Sequence, residues 1–554
     1  MPNNRNLFVV LLLTLSAAPC LWAGKEFTAG PGESALPDQL IVKLHSGANI
    51  NQLLASVVPQ AFANLVSSQF NAYVLQLPPG IQNLISKALA ASPLVDYVEP
   101  NRLRKTNIGP PNDPNYASQW ALTNIQALQA WNYLPDQYLT AATAGTNRVK
   151  VAVLDTGADC THPDFKNVGG SSADSALGGQ LLFASSEALI ATKVVSPTCA
   201  WQDDHGHGTH TAGIVAAATQ NGTGVASVGY PLQVIVYKVL DDTGNGSDAV
   251  IALAIEAATD AGAKVVSMSL GGVGYSQTLQ NAIEYAWQHN TLVVSAAGNT
   301  GDNSLMYPGA ANHALGVAAT DITNARAGFS TYGNWVKIAA PGVNVLSTAP
   351  TYANTLGILN YASLSGTSMA TPHVAAVAGL VYMANPSLSA AAVAQQLQRS
   401  AQTPNAGWDQ FIGYGVLNAA GAVSGTLRSA TLGSLVGQVV DASNLPVSAT
   451  VVANGQSFTT AAGDGLFRIA NLSAGTYTLT ATAGGFSPVN MQASVLGGSD
   501  TTGWSELRGR SDDGSLHDLV EHDDGEQWES QPDRDRQGYL SQYGNIGGGS
   551  GDCE

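Results

Sequence analysis

The sequence predicts an α/β protein: a mostly parallel central sheet with helices on both faces. Two observations carry this. Between residues 113 and 425, six short apolar runs alternate with helical patterns: KVAVLDTG, LQVIVYKVL, AKVVSMSLGG, NTLVVSAAGN, HALGVAATD and NWVKIAAPG. Such runs, rich in β-branched residues and apolar on both sides, suit strands buried between two layers of helices. The composition agrees, with 45% hydrophobic and 11% charged residues and 59 glycines. In open parallel sheets the ligand site lies at the carboxyl ends of strands. Asp155 ends one run and Asn299 follows another.

The flanks read differently. At the start, Arg5, the apolar stretch from Leu7 to Leu15 and a small residue at Ala23 are expected to form a secretory signal over 1–23. Its apolar run is short for a membrane span. Residues 24–108 give the pattern β-α-β-β-α-β, expected to be a ferredoxin-like α+β unit. The main domain is expected over 109–425. Over 432–496, SLVGQVVD, ATVVANG, GLFRIANL and TYTLTATAGGF alternate apolar and polar residues between turn signals, predicting a small β-sandwich. The stretch 497–554 is expected to be an acidic, disordered tail, with thirteen acidic and four basic residues from 505 on. A net charge of −17 argues against nucleic acid or an acidic membrane surface as partner. Among four cysteines, Cys20 leaves with the signal and Cys553 sits in the tail, so Cys160 and Cys199 are the candidate disulfide pair in an oxidising compartment.

The stretch VAVLDTGAD, 151–159, poses a choice. Asp-Thr-Gly after an apolar strand is what an aspartic protease carries, and a second copy stands at Asp242-Thr243-Gly244. Two carboxylates sharing a proton must lie about 3 Å apart. Three further stretches offer Asp155 another partner: DDHGHGTHTAGI (203–214), SAAGNTGDN (295–303) and SLSGTSMATPHVAAVAGL (363–380). A serine hydroxyl needs a base to act as a nucleophile at neutral pH, histidine suits that task, and a carboxylate fixes the histidine tautomer.

With these motifs the chain resembles the subtilisin-like serine peptidases, near the thermitase branch, over about 113–425. The resemblance implies Asp155 as orienter, His207 as base, Ser368 as nucleophile and the Asn299 side chain with the Ser368 N–H as oxyanion donors. His207 is chosen over His205 and His210 because it opens His-Gly-Thr-His. His210 is then structural and His205 a solvated loop residue. Two segments resemble the family's substrate edges: Gly244, Asn245 and Gly246 on one side, Ser269, Leu270 and Gly271 on the other. Thr300 and Met306 align with the primary pocket, and neither is charged, so apolar or broad preference is expected. Structural Ca²⁺ is implied, held by Asp113, Asp164 and Asn221 side chains and the Ala218, Thr223 and Val225 carbonyls. No organic cofactor is expected. Residues 24–108 resemble the inhibitor-type propeptide, a self-cleaved intramolecular inhibitor cut near 105–112. Residues 432–496 resemble carboxypeptidase regulatory-like domains. The whole then reads as a monomeric, extracellular endopeptidase acting on proteins or peptides, made as a precursor, and not attached to a membrane after signal removal.

Overall fold

In a computed structural model of the chain, the described residues are 35–57, 61–77, 82–102, 109–135, 148–165, 180–183, 202–402, 407–441, 443–453, 455–460, 463–501 and 507–508. The expected signal segment, Cys199, the first half of the expected propeptide cut region (105–108) and the chain beyond 508 lie outside them.

The first unit runs β1 (Ala35–Leu44), α1 (Ile50–Val57), β2 (Phe62–Ser67), β3 (Ala72–Gln76), α2 (Gln82–Ala90) and β4 (Val95–Arg102). Its antiparallel sheet has the order β2-β3-β1-β4. Every other residue of β1 points inward: Leu40, Val42 and Leu44 meet Leu53, Leu75, Leu89 and Val98 in a separate core. The order and alternation match the ferredoxin-like expectation.

The central unit begins with two short helices, α3 (Trp120–Asn124) and α4 (Ala127–Trp131). It continues through β5 (Lys150–Asp155), β6 (Gln180–Phe183), α5 (His207–Ala216), β7 (Gln233–Lys238), α6 (Asp248–Asp260), β8 (Ala263–Met268), α7 (Gln277–Gln288), β9 (Leu292–Ala296), β10 (Ala314–Thr320) and β11 (Val336–Pro341). A hairpin, β12 (Val345–Thr348) and β13 (Tyr361–Leu364), leads to α8 (Thr367–Ala384), α9 (Ala390–Ser400) and α10 (Ala419–Ser424). The sheet has seven strands, all parallel, in the order β11-β10-β9-β8-β5-β7-β6. All six strands expected from sequence are present; the seventh is β6, a four-residue edge strand.

Strand alternation divides the interior into two cores. Val151 and Val153 of β5 join α5 and α8 on one face. Ala152 and Leu154 join α6 and α7 on the other. Caps start the outer helices: Ser247 accepts the Val250 N–H, Ser276 the Leu279 N–H and Ser389 the Ala392 N–H. The chain reverses its direction of travel across the sheet between β5 and β8, so the crevice opens at the carboxyl end of β5, where Asp155 stands.

The last unit is a sandwich of two sheets. Its strands are β14 (Leu432–Val440), β15 (Thr450–Ala453), β16 (Gln456–Thr459), β17 (Leu466–Ser473), β18 (Gly475–Thr482), β19 (Val489–Val495), β20 (Asp500–Thr501) and β21 (Leu507–Arg508). One sheet has the order β17-β14-β20, and the other β16-β15-β18-β19. The sandwich extends past the expected boundary at 496. Ser434 and Leu435 pair with Asp500 and Thr501, and the Asp500 carboxylate is buried in a two-bond ion pair with Arg468 at 2.6 and 2.8 Å. A two-residue, polar strand carries no periodicity by which to find it.

Candidate active site

Asp155 is fully buried at the end of β5. Its Oδ1 accepts from the Thr156 N–H at 2.8 Å and from His207 Nδ1 at 2.7 Å, and its Oδ2 accepts from Thr211 Oγ1 at 3.0 Å. All of its strong partners are donors, so the carboxylate is satisfied as an anion.

His207 opens α5 behind Gly206, which has φ 105°. A side chain at Gly208 would put Cβ 2.1 Å from the Gly157 carbonyl oxygen, so only glycine lets the helix start meet the turn after β5. A second buried carboxylate ties the two segments together. Asp203 accepts from Thr156 Oγ1, Gly206 N, Thr209 N and Thr209 Oγ1, each at 2.7 Å. Thr156 Oγ1 in turn accepts from the Gly208 N–H at 2.8 Å. Burial lowers the His207 pKa, but the charge and hydrogen bond of Asp155 outweigh it, and the net position is above an ordinary histidine.

The other two histidines separate clearly. His210 is buried, bonds the Ala362 carbonyl through Nε2 at 2.9 Å, and burial pushes it down to about 3. His205 departs from the solvated loop position expected of it. It is half-buried, its ring 6.2 Å from that of His207, and its Nδ1 is buried without a partner.

Ser368 is the second residue of α8. Pro372, inside the helix, has no N–H to give the Ser368 carbonyl four residues back. Ser269 Oγ supplies the missing donor at 2.7 Å. The Ser368 hydroxyl donates to the Ser269 carbonyl at 3.2 Å rather than to His207. Asn299 accepts through Oδ1 from Thr367 N at 2.9 Å and Thr367 Oγ1 at 3.0 Å, which leaves its NH₂ turned outward. The ideal Cβ position on Gly366 lies 3.5 Å from both Asn299 Nδ2 and Ser368 N, so the two donors converge on one small space.

The two expected substrate edges are half-buried or exposed except at Ser269, which is buried. Gly244, Asn245 and Gly246 sit in a turn organised by Asp241. Its Oδ1 accepts from Thr243 N at 2.9 Å and Asn245 N at 3.0 Å. Asp242 is exposed there, far in character from a shared-proton pair, and Asp155 already has His207. Across the crevice, Ser269, Leu270 and Gly271 follow β8, and Gly272 pairs with Tyr307 in both directions at 2.8 Å. Met306 lies under Gly298, where an added Cβ would come within 2.6 Å of its Cγ.

Asp113 and Asp164 are buried beside the loop 217–225. Asp113 accepts from Gln220 N at 2.9 Å and Asn221 N at 3.2 Å. Asp164 accepts from Asn221 Nδ2 at 3.0 Å and Val225 N at 2.7 Å. Burial raises Asp113 and pushes Asp164 up to about 7. Neither makes an ion pair among the described residues. Among those residues no group of three or more His, Cys, Asp or Glu could hold a metal ion. The two carboxylates are oxygen donors of the kind a hard cation takes, while the Asn221 amide turns Nδ2 to Asp164 and its Oδ1 accepts the Thr223 N–H at 2.8 Å. Cys160 is disulfide-bonded; Cys199 lies outside the described residues.

One contributor was not singled out from the sequence, Asp203; Thr156 is expected only to shape the turn after the strand, and Thr211 only to stand where thiol-dependent relatives carry a cysteine. For Asp203 a signal existed. An aspartate three residues before Gly206 and six before Thr209 is a local pattern for capping exposed N–H groups.

A buried aspartate on a histidine, with a serine at a helix start beside two converging amide donors, defines a serine hydrolase on a parallel α/β sheet. Comparison with known proteins agrees. The chain belongs to the subtilase family, whose pattern matches residues 146–415. The fervidolysin N-terminal prodomain matches 23–101 and the carboxypeptidase regulatory-like domain 434–503. Thermitase of Thermoactinomyces vulgaris is 41% identical over 272 residues, covering 49% of this chain and 85% of thermitase. A thermophilic serine proteinase of Bacillus sp. (strain AK1) is 34% identical over 376 residues, covering 68% of this chain and 82% of its own length. Subtilisin Savinase of Lederbergia lenta is 40% identical over 303 residues, covering 55% and 97%. Fervidolysin from Fervidobacterium pennivorans, a keratinolytic enzyme related to subtilisin, shares the fold, with TM-score 0.51 and 24% identity over 87% of this chain and 79% of its own. The chain is thus a subtilisin-like serine peptidase with a prodomain.

Proposed function

We propose that this chain is a secreted endopeptidase of broad or apolar specificity that cuts proteins through an acyl-enzyme on Ser368. The observation that carries the reading is the 2.7 Å bond from His207 Nδ1 to Asp155, which turns Nε2 into a base. In the reaction the Ser368 hydroxyl would turn from the Ser269 carbonyl to His207. Ser368 Oγ then attacks the substrate carbonyl carbon as its proton passes to His207 Nε2. Asn299 Nδ2 and Ser368 N–H receive the charge that forms on the carbonyl oxygen. Collapse expels the amine, which takes the proton from Nε2. Water repeats the sequence and frees Ser368. The Gly244–Gly246 and Ser269–Gly271 segments pair with an extended substrate backbone, and uncharged Thr300 and Met306 line the pocket for its side chain.

Calcium is part of the proposal. The Asp113, Asp164 and Asn221 side chains, with carbonyls of Ala218, Thr223 and Val225, would hold it, and it would supply the counter-charge that the two buried carboxylates lack. Cys160 is paired with Cys199 in this reading. That bridge would close a loop of 40 residues between the acid and base segments, a stabilisation of about 4 kcal/mol by loop entropy. The prodomain is proposed to occupy the groove and to be removed by the enzyme itself, and a domain boundary near 425–432 precedes the sandwich. The test is casein hydrolysis by the secreted protein. Phenylmethylsulfonyl fluoride should abolish it and pepstatin should not; inhibition by pepstatin alone would overturn the reading.

A further inference from the structure

The sandwich is built into the wall of the substrate crevice. Tyr307 and Asp464 are both buried, and Tyr307 Oη donates to Asp464 Oδ2 at 2.7 Å across a sequence separation of 157 residues. Tyr307 is the residue whose backbone pairs with Gly272, the end of the Ser269–Gly272 edge. An added Cβ on Gly271 would lie 3.0 Å from the Tyr307 carbonyl oxygen, so that edge rests directly on Tyr307. Its neighbour Met306 packs under Gly298, next to Asn299.

A second link runs beside the first. Gln438 of β14 donates to Tyr275 Oη at 3.0 Å and to the Asp464 carbonyl at 2.7 Å. Tyr275 meets Tyr307 edge to face, with ring centroids 5.6 Å apart. The sandwich is itself anchored on the sheet edge at β11. Arg468, paired with Asp500, donates to the Asn334 carbonyl at 2.5 Å and stacks over Trp408. Burial and the nearby Asp464 carboxylate raise the Tyr307 phenol far above an ordinary tyrosine, so it remains a donor.

We propose that Asp464 is a positioning residue for peptide hydrolysis: it holds Tyr307, and through it the Ser269–Gly272 edge and the pocket beside Met306, so that the C-terminal sandwich sets how tightly a bulky side chain next to the cut bond is bound. This rests on the groove assignment proposed above. Nothing in it touches the reacting atoms. Loss of Asp464 should therefore weaken binding of a large side chain and leave turnover nearly intact.

The experiment uses the full chain as secreted, in wild-type form and as Asp464→Ala, Asp464→Asn and Tyr307→Phe. Each is assayed with succinyl-Ala-Ala-Pro-Phe-p-nitroanilide and its succinyl-Ala-Ala-Pro-Ala counterpart, with a fluorophosphonate label to count active Ser368. Asp464→Ala and Tyr307→Phe should raise KM for the phenylalanine substrate by about 3- to 10-fold with kcat within about twofold, and should lower the Phe-to-Ala preference by the same factor. Asp464→Asn keeps one acceptor oxygen, which can serve Tyr307 Oη or the Leu466 N–H but not both, and its KM for the phenylalanine substrate should fall between wild type and Asp464→Ala. An unchanged KM and preference in Asp464→Ala overturns the proposal even if thermal stability falls. An equal loss on both substrates overturns it too. A wild-type chain that takes no fluorophosphonate label and cuts neither substrate would instead sink the peptidase reading beneath it.

Discussion

Asp155 Oδ1 sits 2.7 Å from His207 Nδ1, and the same oxygen accepts the Thr156 N–H while Oδ2 takes the Thr211 hydroxyl. The carboxylate therefore fixes both the ring orientation and the tautomer of the neutral ring, the one whose unprotonated nitrogen is Nε2. Asp155→Asn keeps the volume but can donate to Nδ1 and favour the wrong tautomer. By analogy with serine proteases of another fold, kcat should fall about 10⁴-fold. His207 must be neutral to act, and its pKa is raised, so activity falls as pH drops through a value above that of an ordinary histidine. The acid limb of kcat/KM in Asp155→Asn should move to lower pH. A limb that stays in place would mean that Asp155 does not set the His207 charge.

The Asn299 amide is held by Thr367, with its donor side left outward. Asn299→Ala should lower kcat by about 10²–10³ with KM little changed, a magnitude carried over from a subtilisin. Steady-state kinetics on a p-nitroanilide substrate decides it. A loss confined to KM would argue that Asn299 binds substrate rather than the developing oxyanion.

The proposed self-removal of the prodomain would depend on the same serine. Ser368→Ala should accumulate in the secreted fraction as an uncut precursor, larger than the wild-type product on an immunoblot. Normal trimming of this variant in a protease-deficient host would assign the cut to another enzyme.

The strands were legible because the sheet is buried on both faces: Val151 to Leu154 are apolar without a break, which only a doubly covered strand tolerates. Asp155, His207, Asn299 and Ser368 were legible because each is embedded in a long local motif. What escaped depends on distance or brevity. β6 is four residues at an edge and β20 is two. The Tyr307–Asp464 contact joins residues 157 positions apart, and neither residue carries a local sign of the other. His205 reads as loop from its glycine neighbours, yet the turn at Gly244 closes over it, with an ideal Cβ there 3.2 Å from His205 Nε2.

The proposed calcium site predicts metal-dependent stability, because two buried carboxylates from separate segments face the loop 217–225 without an ion pair among the described residues. Excess EDTA should lower the thermal midpoint of the inactive Ser368→Ala protein, and millimolar Ca²⁺ should restore it. A cation at about 100 times its Kd stabilises by about 2.7 kcal/mol. Asp164→Asn should abolish the response to added Ca²⁺. A full response in that variant would place the ion elsewhere. Mg²⁺ should be a poor substitute, because it demands a tighter octahedral shell than carbonyls of a fixed loop provide.

Two buried neutral histidines should make the fold acid-labile. Burial pushes His210 down to about 3 and His373, whose Nδ1 bonds the Met369 carbonyl at 2.7 Å, down to about 4. In the unfolded chain both titrate near about 6.5. Above that pH neither state binds the proton and nothing is lost. As pH falls below it, the unfolded chain takes up protons that the folded chain refuses, so each histidine removes about 1.4 kcal/mol of stability per pH unit. For His373 the loss levels off near its folded value. Buried carboxylates with raised values act in the opposite direction, so the comparison must be between two chains that share them. In the Ser368→Ala background, His373→Gln should lose about 2 kcal/mol less than its parent between pH 6.5 and 5, read from denaturant unfolding at fixed Ca²⁺. Parallel pH curves for the two proteins would show that His373 is already charged in the folded state, and that its bond to Met369 is made by the imidazolium.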